Sequence, residues 1–421
     1  MDKHSEAVFD WNAAGAPWRP AHPPVAIVDE TLRDGLQSPS VRHPRFEQKV
    51  ELLRLVDRLG IDTATIGLPG AGAAFAREAE RLVRVMAQER MRVRPACAAR
   101  TLEGDIRPIV EISQRTGVTV DVNCFLGSSP IRRFAEDWTL DRLLLMTEES
   151  IAFCVREGLP VLYVTEDSTR ARPEDLAAMY RAAIGAGARR ICVSDTVGHA
   201  TPTGVRALLA FVSGVARDAD PEVRIDWHGH QDRGLGVVNS LAALESGAQR
   251  VHGCALGIGE RVGNTPLDQL LVNLKLMGAY DEDLSPLAEY VRLASVATGT
   301  PIPPSYPFFG RDAFRTSTGV HAAAILKAQR KGDDWLADRV YSSVPSSLFG
   351  RQQEIEVGPM SGESNVVFWL GARGYEVLDF RVEAILAAAK ASDRVLSDDE
   401  IEAALSTVEG APVPRRIRRV K

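Results

Sequence analysis

Two histidines one residue apart, His228 and His230, carry the sharpest chemical signal in the chain. In an extended strand residues i and i+2 point to the same side, so the two imidazoles are placed to share one divalent ion. Asp34 would add a carboxylate, and two histidines with one carboxylate and open positions suit a catalytic Zn²⁺ or Mn²⁺. An H-x-H taken alone more often marks a hydrogen-bonded histidine pair beside a loop. What distinguishes this one is its company. Arg33-Asp34, Glu166-Asp167, Asp195-Thr196 and the run Gly257-Ile258-Gly259-Glu260-Arg261-Val262-Gly263-Asn264 also follow strand-like segments. A packed core gives no reason for polar groups to gather there, whereas barrel enzymes place catalytic groups at the C-terminal ends of their strands.

The segments that must position these groups recur regularly. Strand-like runs are read at 26–31, 63–68, 93–99, 119–126, 160–166, 190–196, 224–230 and 250–258. Phe46, Val50, Leu53, Val56 and Leu59 recur at spacings of three and four, which predicts a helix over 45–59. Further helices are expected over 137–157, 173–187, 202–216 and 234–246. Alternation of this kind gives parallel βαβ units. Eight strands in about 255 residues match a closed (β/α)8 TIM barrel. The alternative, an open doubly wound sheet, wants a Gly-rich turn after its first strand, and TLRDGLQ (31–37) has no G-x-G-x-x-G.

The expected partition is an extended N-terminal arm over 1–24, a catalytic barrel over 25–280, and a linker with small helical and mixed C-terminal subdomains over 281–421. PIPPSYPFFG (301–310) reads as linker and 317–331 as helix. Ser361 and Gly374 are expected to cap a helix over 361–375. Ser397 and Glu400 form a capping-box pattern in the helix read over 391–405. The tail PRRIRRVK (414–421) carries five positive charges and is read as a solvated terminus. No large regulatory domain is expected.

Composition excludes several classes. With 50 Lys+Arg against 56 Asp+Glu the net charge is −6, which is not the footprint of a chain-wide nucleic-acid binder. A hydrophobic fraction of 45% and a charged fraction of 25% are those of an ordered globular protein. No apolar run approaches a membrane span, and residues 1–24 contain no secretory h-region. A cytoplasmic protein is therefore expected. The five cysteines, at positions 97, 124, 154, 192 and 254, are scattered without a C-x-x-C, so they read as buried thiols.

Five motifs then carry a family resemblance. ETLRDGLQS (30–38), VTEDSTR (164–170), SDTVG (194–198), HGHQDRGLGVVNSLAALESGA (228–248) and GIGERVGNTPLDQLL (257–271) resemble the metal-dependent Claisen-condensing barrel family. That family includes 2-isopropylmalate, homocitrate and citramalate synthases and, more distantly, HMG-CoA lyase. The resemblance spans about 26–375. It implies Asp34, His228 and His230 as ligands of a divalent Zn, Mn or Mg ion, with Asn264 acting directly or through water. It implies Arg33 as the group that stabilises developing negative oxygen, and Thr196 as the binder of the oxo-acid carboxylate. Glu166, His321 and Tyr341 match the groups that handle protons. His321 and Tyr341 lie in a region that, in the related synthases, reaches a neighbouring subunit's active site, so a homodimer is implied. Gln37 and Glu260 are secondary candidates.

The reaction implied is condensation of acetyl-CoA with a 2-oxo acid followed by thioester hydrolysis. Lyases of this type carry a cysteine in the glycine-rich loop after strand 8, where this chain reads GIGERVGN. A lyase or aldolase on the same barrel, and a non-catalytic ligand-sensing barrel, are the other readings. After strand 4 the sequence FLGSSPIRRFAEDW (125–138) places Arg132 and Arg133 where homocitrate synthases carry an arginine for a second carboxylate. Either arginine equally suits an exposed helix start.

Overall fold

The structure is a computed structural model that describes residues 8–409. It divides into two compact units, one ending at Pro301 and the other beginning at Ile302. In the first, eight parallel strands close into a barrel in sequence order. They are β1 (Ala26–Asp29), β2 (Thr63–Thr65), β3 (Arg94–Arg100), β4 (Asp121–Gly127), β5 (Val161–Glu166), β6 (Arg190–Asp195), β7 (Arg224–Gly229) and β8 (Arg250–Gly253). Closure pairs Val28 with His252 and Asp29 with Gly253.

The intervening helices are α1 (Phe46–Arg58), α2 (Ala73–Gln88), α3 (Glu103–Thr116), α4 (Pro130–Glu136), α5 (Leu140–Arg156), α6 (Pro173–Gly185), α7 (Pro202–Ala219) and α8 (Gly236–Glu245). α9 (Leu267–Leu276) and α10 (Leu287–Thr298) complete the unit. In α1 the apolar stripe Val50, Leu53 and Val56 is buried as its spacing requires. Each such side chain contributes about 1.5–3 kcal/mol by leaving water. Proline opens α4, α6 and α7, where its missing N–H breaks no helical bond.

Several boundaries differ from the sequence expectation. β1, β2 and β8 stop short of residues 31, 68 and 258 because the chain leaves the ladder there. The Glu30 carbonyl accepts from the N–H groups of Arg33 and Gly35, and Cys254 N donates to Thr265 O. The helix read over 137–157 begins instead at Leu140 and is preceded by the separate α4. Asp137 turns left-handed at φ +54°, and Thr139 caps α5 by accepting from Arg142 N. In the arm, the Trp18 indole donates to Leu241 O, while Trp11 is exposed.

The second unit contains α11 (Gly319–Arg330), α12 (Asp334–Arg339), α13 (Glu363–Ala372), α14 (Asp379–Ala391) and α15 (Asp398–Glu409). A short parallel pair joins β9 (Arg315–Thr316) to β10 (Glu354–Ile355). Its main core gathers Val366, Trp369, Leu370, Ile385, Ile401 and Leu405. Ser361 does not cap α13: Gly362 holds that place, and the Ser361 hydroxyl instead donates to Ser317 O. Gly374 closes the helix as read: it follows the C-cap residue Arg373 in the left-handed conformation at φ +75°, its N–H donates to Gly371 O, and Tyr375 N donates to Leu370 O. The capping box of α15 forms as read, with Ser397 N donating to Glu400 and Glu400 N to Ser397 Oγ. The basic tail at 414–421 lies outside the described residues. Among the described residues no helix is long and apolar enough to cross a membrane. All five cysteines are buried and free.

Candidate active site

Strand pleating does most of the positioning. On β7, Asp226, His228 and, just past its end, His230 alternate with Trp227 and Gly229, so all three polar side chains face one side. After β1 the chain folds back on the Glu30 carbonyl into a short helical turn at Gly35–Gln37, which places Arg33 and Asp34 beside the histidines. His228 Nε2 lies 3.3 Å from Asp34 Oδ2, and His230 Nε2 lies 3.7 Å from the same oxygen. The two histidine Nε2 atoms are 3.3 Å apart.

A divalent cation fits this donor set. Bonds of about 2.1 Å to nitrogen and oxygen put neighbouring ligand atoms roughly 3.0–3.4 Å apart, close to the spacing seen. Asp34 Oδ1, His230 Nδ1 and Asn264 Oδ1 are all buried without a hydrogen-bond partner, a state that calls for an explanation in a native interior. Burial and the neighbouring His228 push His230 down to about 4, so at neutral pH its imidazole is uncharged, the form in which a histidine can bind a metal. Burial alone would raise Asp34, but Arg33 and His228 hold it well below the usual carboxylate range.

Asn264 joins the histidines through the loop after β8, where it forms a bridge with His230 and its Nδ2 donates to Ile258 O. That loop needs its glycines. Gly263, at φ +96°, would put a side-chain carbon 1.8 Å from Gly257 O. Arg261 pairs with Asp232, leaving Glu260 facing the cavity.

Arg33, Asp34, Gln37, Glu166, Thr196, His228, His230 and Glu260 line one cavity of about 170 Å³, many times the roughly 10–15 Å³ a single water needs. Arg33 is clamped to Glu30 at 2.7 Å and stands 3.5 Å from Asp34. Glu30 is held down at about 2, burial being outweighed by Arg33 and then His252. The Thr196 hydroxyl accepts from Asp167 N at 2.8 Å, so its own proton is free to donate into the cavity. Burial raises the Glu166 carboxyl above its ordinary value, although Arg132 and Arg33 oppose this.

The two arginines after β4 separate. Arg133 reaches away to Asp175 on α6 at 2.7 Å. Arg132 pairs with Glu136 at 2.9 Å and, with Glu166 and Thr196, lines an adjoining cavity of about 420 Å³. In the second unit His321 and Tyr341 stack on each other, ring centres 3.8 Å apart. Sequence reasoning passed over Asp226 and His252, which are buried among these groups. The signal was present: ionisable residues at every second position of a strand that should be apolar on both faces.

The HMGL-like family matches residues 24–297. A probable 2-isopropylmalate synthase of Methanopyrus kandleri is 32% identical over 375 residues, 87% of this chain and 69% of that protein. The homocitrate synthase AksA of the same organism is 33% identical over 370 residues, covering 87% of both chains. A homocitrate synthase of Sulfolobus acidocaldarius is 28% identical, covering 90% of this chain and 77% of its own. Among solved structures, the HMG-CoA lyase of Bacillus subtilis superimposes with a TM-score of 0.57 at 21% identity, over 68% of this chain and 97% of that one. An HMG-CoA lyase of Acinetobacter baumannii in complex with coenzyme A and 3-methylmalate gives 0.56 at 20%, over 66% and 92%. At these identities the structural likeness speaks to the fold.

Proposed function

The chain belongs to the HMGL-like family of barrels, and on that premise we propose that it condenses acetyl-CoA with a 2-oxo acid, as its synthase relatives' names suggest. The observation that carries this reading is the cluster of Asp34, His228 and His230 sharing one cavity with Arg33, Glu166 and Thr196. Asp34, His228 and His230 would hold a divalent cation, with Asn264 beside them. Bound there, the cation supplies Lewis-acid polarisation of the oxo acid's carbonyl.

The chain's own groups do the rest. The Thr196 hydroxyl donates to the oxo acid's carboxylate. Arg33, fixed by Glu30, donates to the carbonyl oxygen as it gains negative charge, a preorganised task that requires no rearrangement. Glu166, raised by burial toward the working pH, serves the proton transfers. The acetyl methyl loses a proton, its carbon bonds to the carbonyl carbon, and the new alkoxide takes up a proton. Water then cleaves the thioester, releasing coenzyme A and a 2-hydroxy acid that carries one more carboxylate than the oxo acid. His321 and Tyr341 are assigned to this relay on the family resemblance, and a homodimer is proposed on the same ground.

For the side chain of the oxo acid, Arg132 is the residue we assign to a second anionic group, because it lines the cavity shared with Glu166 and Thr196. Arg133, held by Asp175, is not assigned this role. The test offers purified protein with Mn²⁺ or Mg²⁺, acetyl-CoA and one of 2-oxoglutarate, 2-oxoisovalerate, pyruvate or glyoxylate, and follows free thiol. Turnover with one of them is expected. Cleavage of a hydroxyacyl-CoA without any oxo acid would instead favour a lyase.

A further inference from the structure

Beneath the cluster of Asp34, His228 and His230 the barrel interior is charged where a TIM barrel usually packs branched aliphatic side chains. The contacts run in series. Arg33 donates through Nε at 2.9 Å to Glu30 Oε2, which Nη2 also approaches at 2.7 Å. Glu30 Oε1 accepts from Thr65 Oγ1 at 2.9 Å and faces His252 Nδ1 at 3.4 Å. His252 Nε2 lies 3.0 Å from Asp226 Oδ2. Asp226 in turn accepts from Arg250 Nε at 2.7 Å and Arg190 Nη1 at 2.6 Å. Glu30, His252, Asp226 and Arg250 are all at most 3% exposed.

We propose that His252 is a positioning residue: it fixes the Glu30 carboxylate from the β8 side and, through it, aims the Arg33 guanidinium into the cavity. The proposal rests on the reading that Arg33 acts on the bound oxo acid.

An arginine has considerable rotamer freedom, and the planar fork is useful only when its direction is set. Glu30 sets it, but Glu30 must itself be held. Arg33 occupies one carboxylate oxygen. Thr65 donates a single bond to the other, and that same hydroxyl accepts from Asn123 Nδ2 at 3.1 Å. His252 approaches that oxygen from another strand, and its far nitrogen is anchored by Asp226. The carboxylate is thereby held from both ends and against rotation. Stability alone does not explain the arrangement, since a well-packed apolar filling often stabilises an interior as well as buried ion pairs do. The row of charges is instead accounted for by the group it reaches, Arg33. The His252 ring also meets the His228 ring edge-on, centroids 5.6 Å apart, so metal retention must be measured separately.

The test compares His252→Leu and His252→Gln in the wild-type and Arg33→Ala backgrounds, reading crystal structure, bound metal and turnover. In His252→Leu the guanidinium should leave its wild-type place on Glu30 by more than about 1 Å, a displacement that matters at a reacting centre. Metal content should be unchanged. The kcat should fall about 10- to 100-fold, the usual effect of losing an outer-shell partner, with the KM for acetyl-CoA unaltered. His252→Gln, which keeps a donor toward Glu30, should recover most of it. In Arg33→Ala, His252→Leu should add no further loss. An unmoved Arg33–Glu30 pair, equal losses in both backgrounds, or loss of metal would each overturn the proposal. Should the leucine variant not fold, His252→Asn, too short to span both carboxylates, carries the same comparison. If the wild type turns over no oxo acid, the synthase reading fails, while the Arg33–Glu30 geometry still decides the role of His252.

Discussion

Replacing Glu166 by Gln keeps the side chain's shape and removes its charge. Glu166 ends β5 and lines both the cavity that holds Arg33 and Asp34 and the adjoining one that holds Arg132. A positioned acid–base group contributes about 10²–10⁴ in rate, which is about 2.7–5.4 kcal/mol of barrier. Glu166→Gln is therefore expected to lower kcat by that factor, measured by thiol release. Oxo-acid affinity, measured by calorimetry on metal-loaded protein, should stay within about threefold, because a single neutral isostere away from the carboxylate contacts removes little uniform binding. Glu166→Asp withdraws the carboxylate by about one C–C bond, ~1.5 Å, and displacements near 1 Å already cost about 10²-fold. The Gln substitution also has a stability signature. Because burial raises Glu166 in the folded chain, the folded state binds more protons than the unfolded one between the ordinary and the raised value. Its contribution is full below that window and is lost as pH rises through it. Metal-free Glu166→Gln should thus melt higher than wild type at neutral pH, the difference fading below the ordinary carboxylate value. A Gln variant that retains kcat within threefold across the pH range would refute this assignment.

Thr196→Val removes both the acceptor for Asp167 N and the donor to the oxo acid. Loss of a charge-assisted hydrogen bond of about 1.5–3 kcal/mol should raise the oxo-acid KM about 10- to 150-fold, while Thr196→Ser should stay within about threefold. A valine variant with unchanged KM would remove Thr196 from the substrate. Arg132→Ala should change the ratio of kcat/KM for 2-oxoglutarate and 2-oxoisovalerate, and Arg133→Ala should not. The reverse pattern would transfer the role to the arginine held by Asp175. In the second unit Trp369 is buried and donates to Asp398, so Trp369→Ala should lower stability by about 3–5 kcal/mol in urea unfolding. A loss under 1 kcal/mol would show that this core is not packed around it.

Much of the barrel was legible because its strands are separated by helices with clear apolar spacing, and the H-x-H pair needed only the two-residue period of a strand to be placed correctly. Strand ends were less legible. The run from Ala26 to Thr31 is continuous in sequence, yet the Glu30 carbonyl captures two later N–H groups and ends the ladder. Helix α4 lay outside the helix read over 137–157, since it is short and buries no apolar residue that would mark a stripe. Arg132 and Arg133 are indistinguishable in sequence. Only the position of Asp175 on α6 separates them. His252 and Asp226 escaped notice because each looks like an ordinary polar residue until neighbouring strands bring them together.

The central claim is that this site joins an acetyl carbon to an oxo-acid carbonyl. The most direct measurement incubates the metal-loaded protein with methyl-¹³C acetyl-CoA and each of the four oxo acids, and identifies products by NMR and mass spectrometry. The account predicts that one oxo acid yields a 2-hydroxy acid with one more carboxylate than that oxo acid and the label in its new methylene group, that free coenzyme A appears in equal amount, and that both vanish in Asp34→Ala and His228→Ala. Labelled acetate released with the oxo acids unchanged, or no product from any of them, would contradict it.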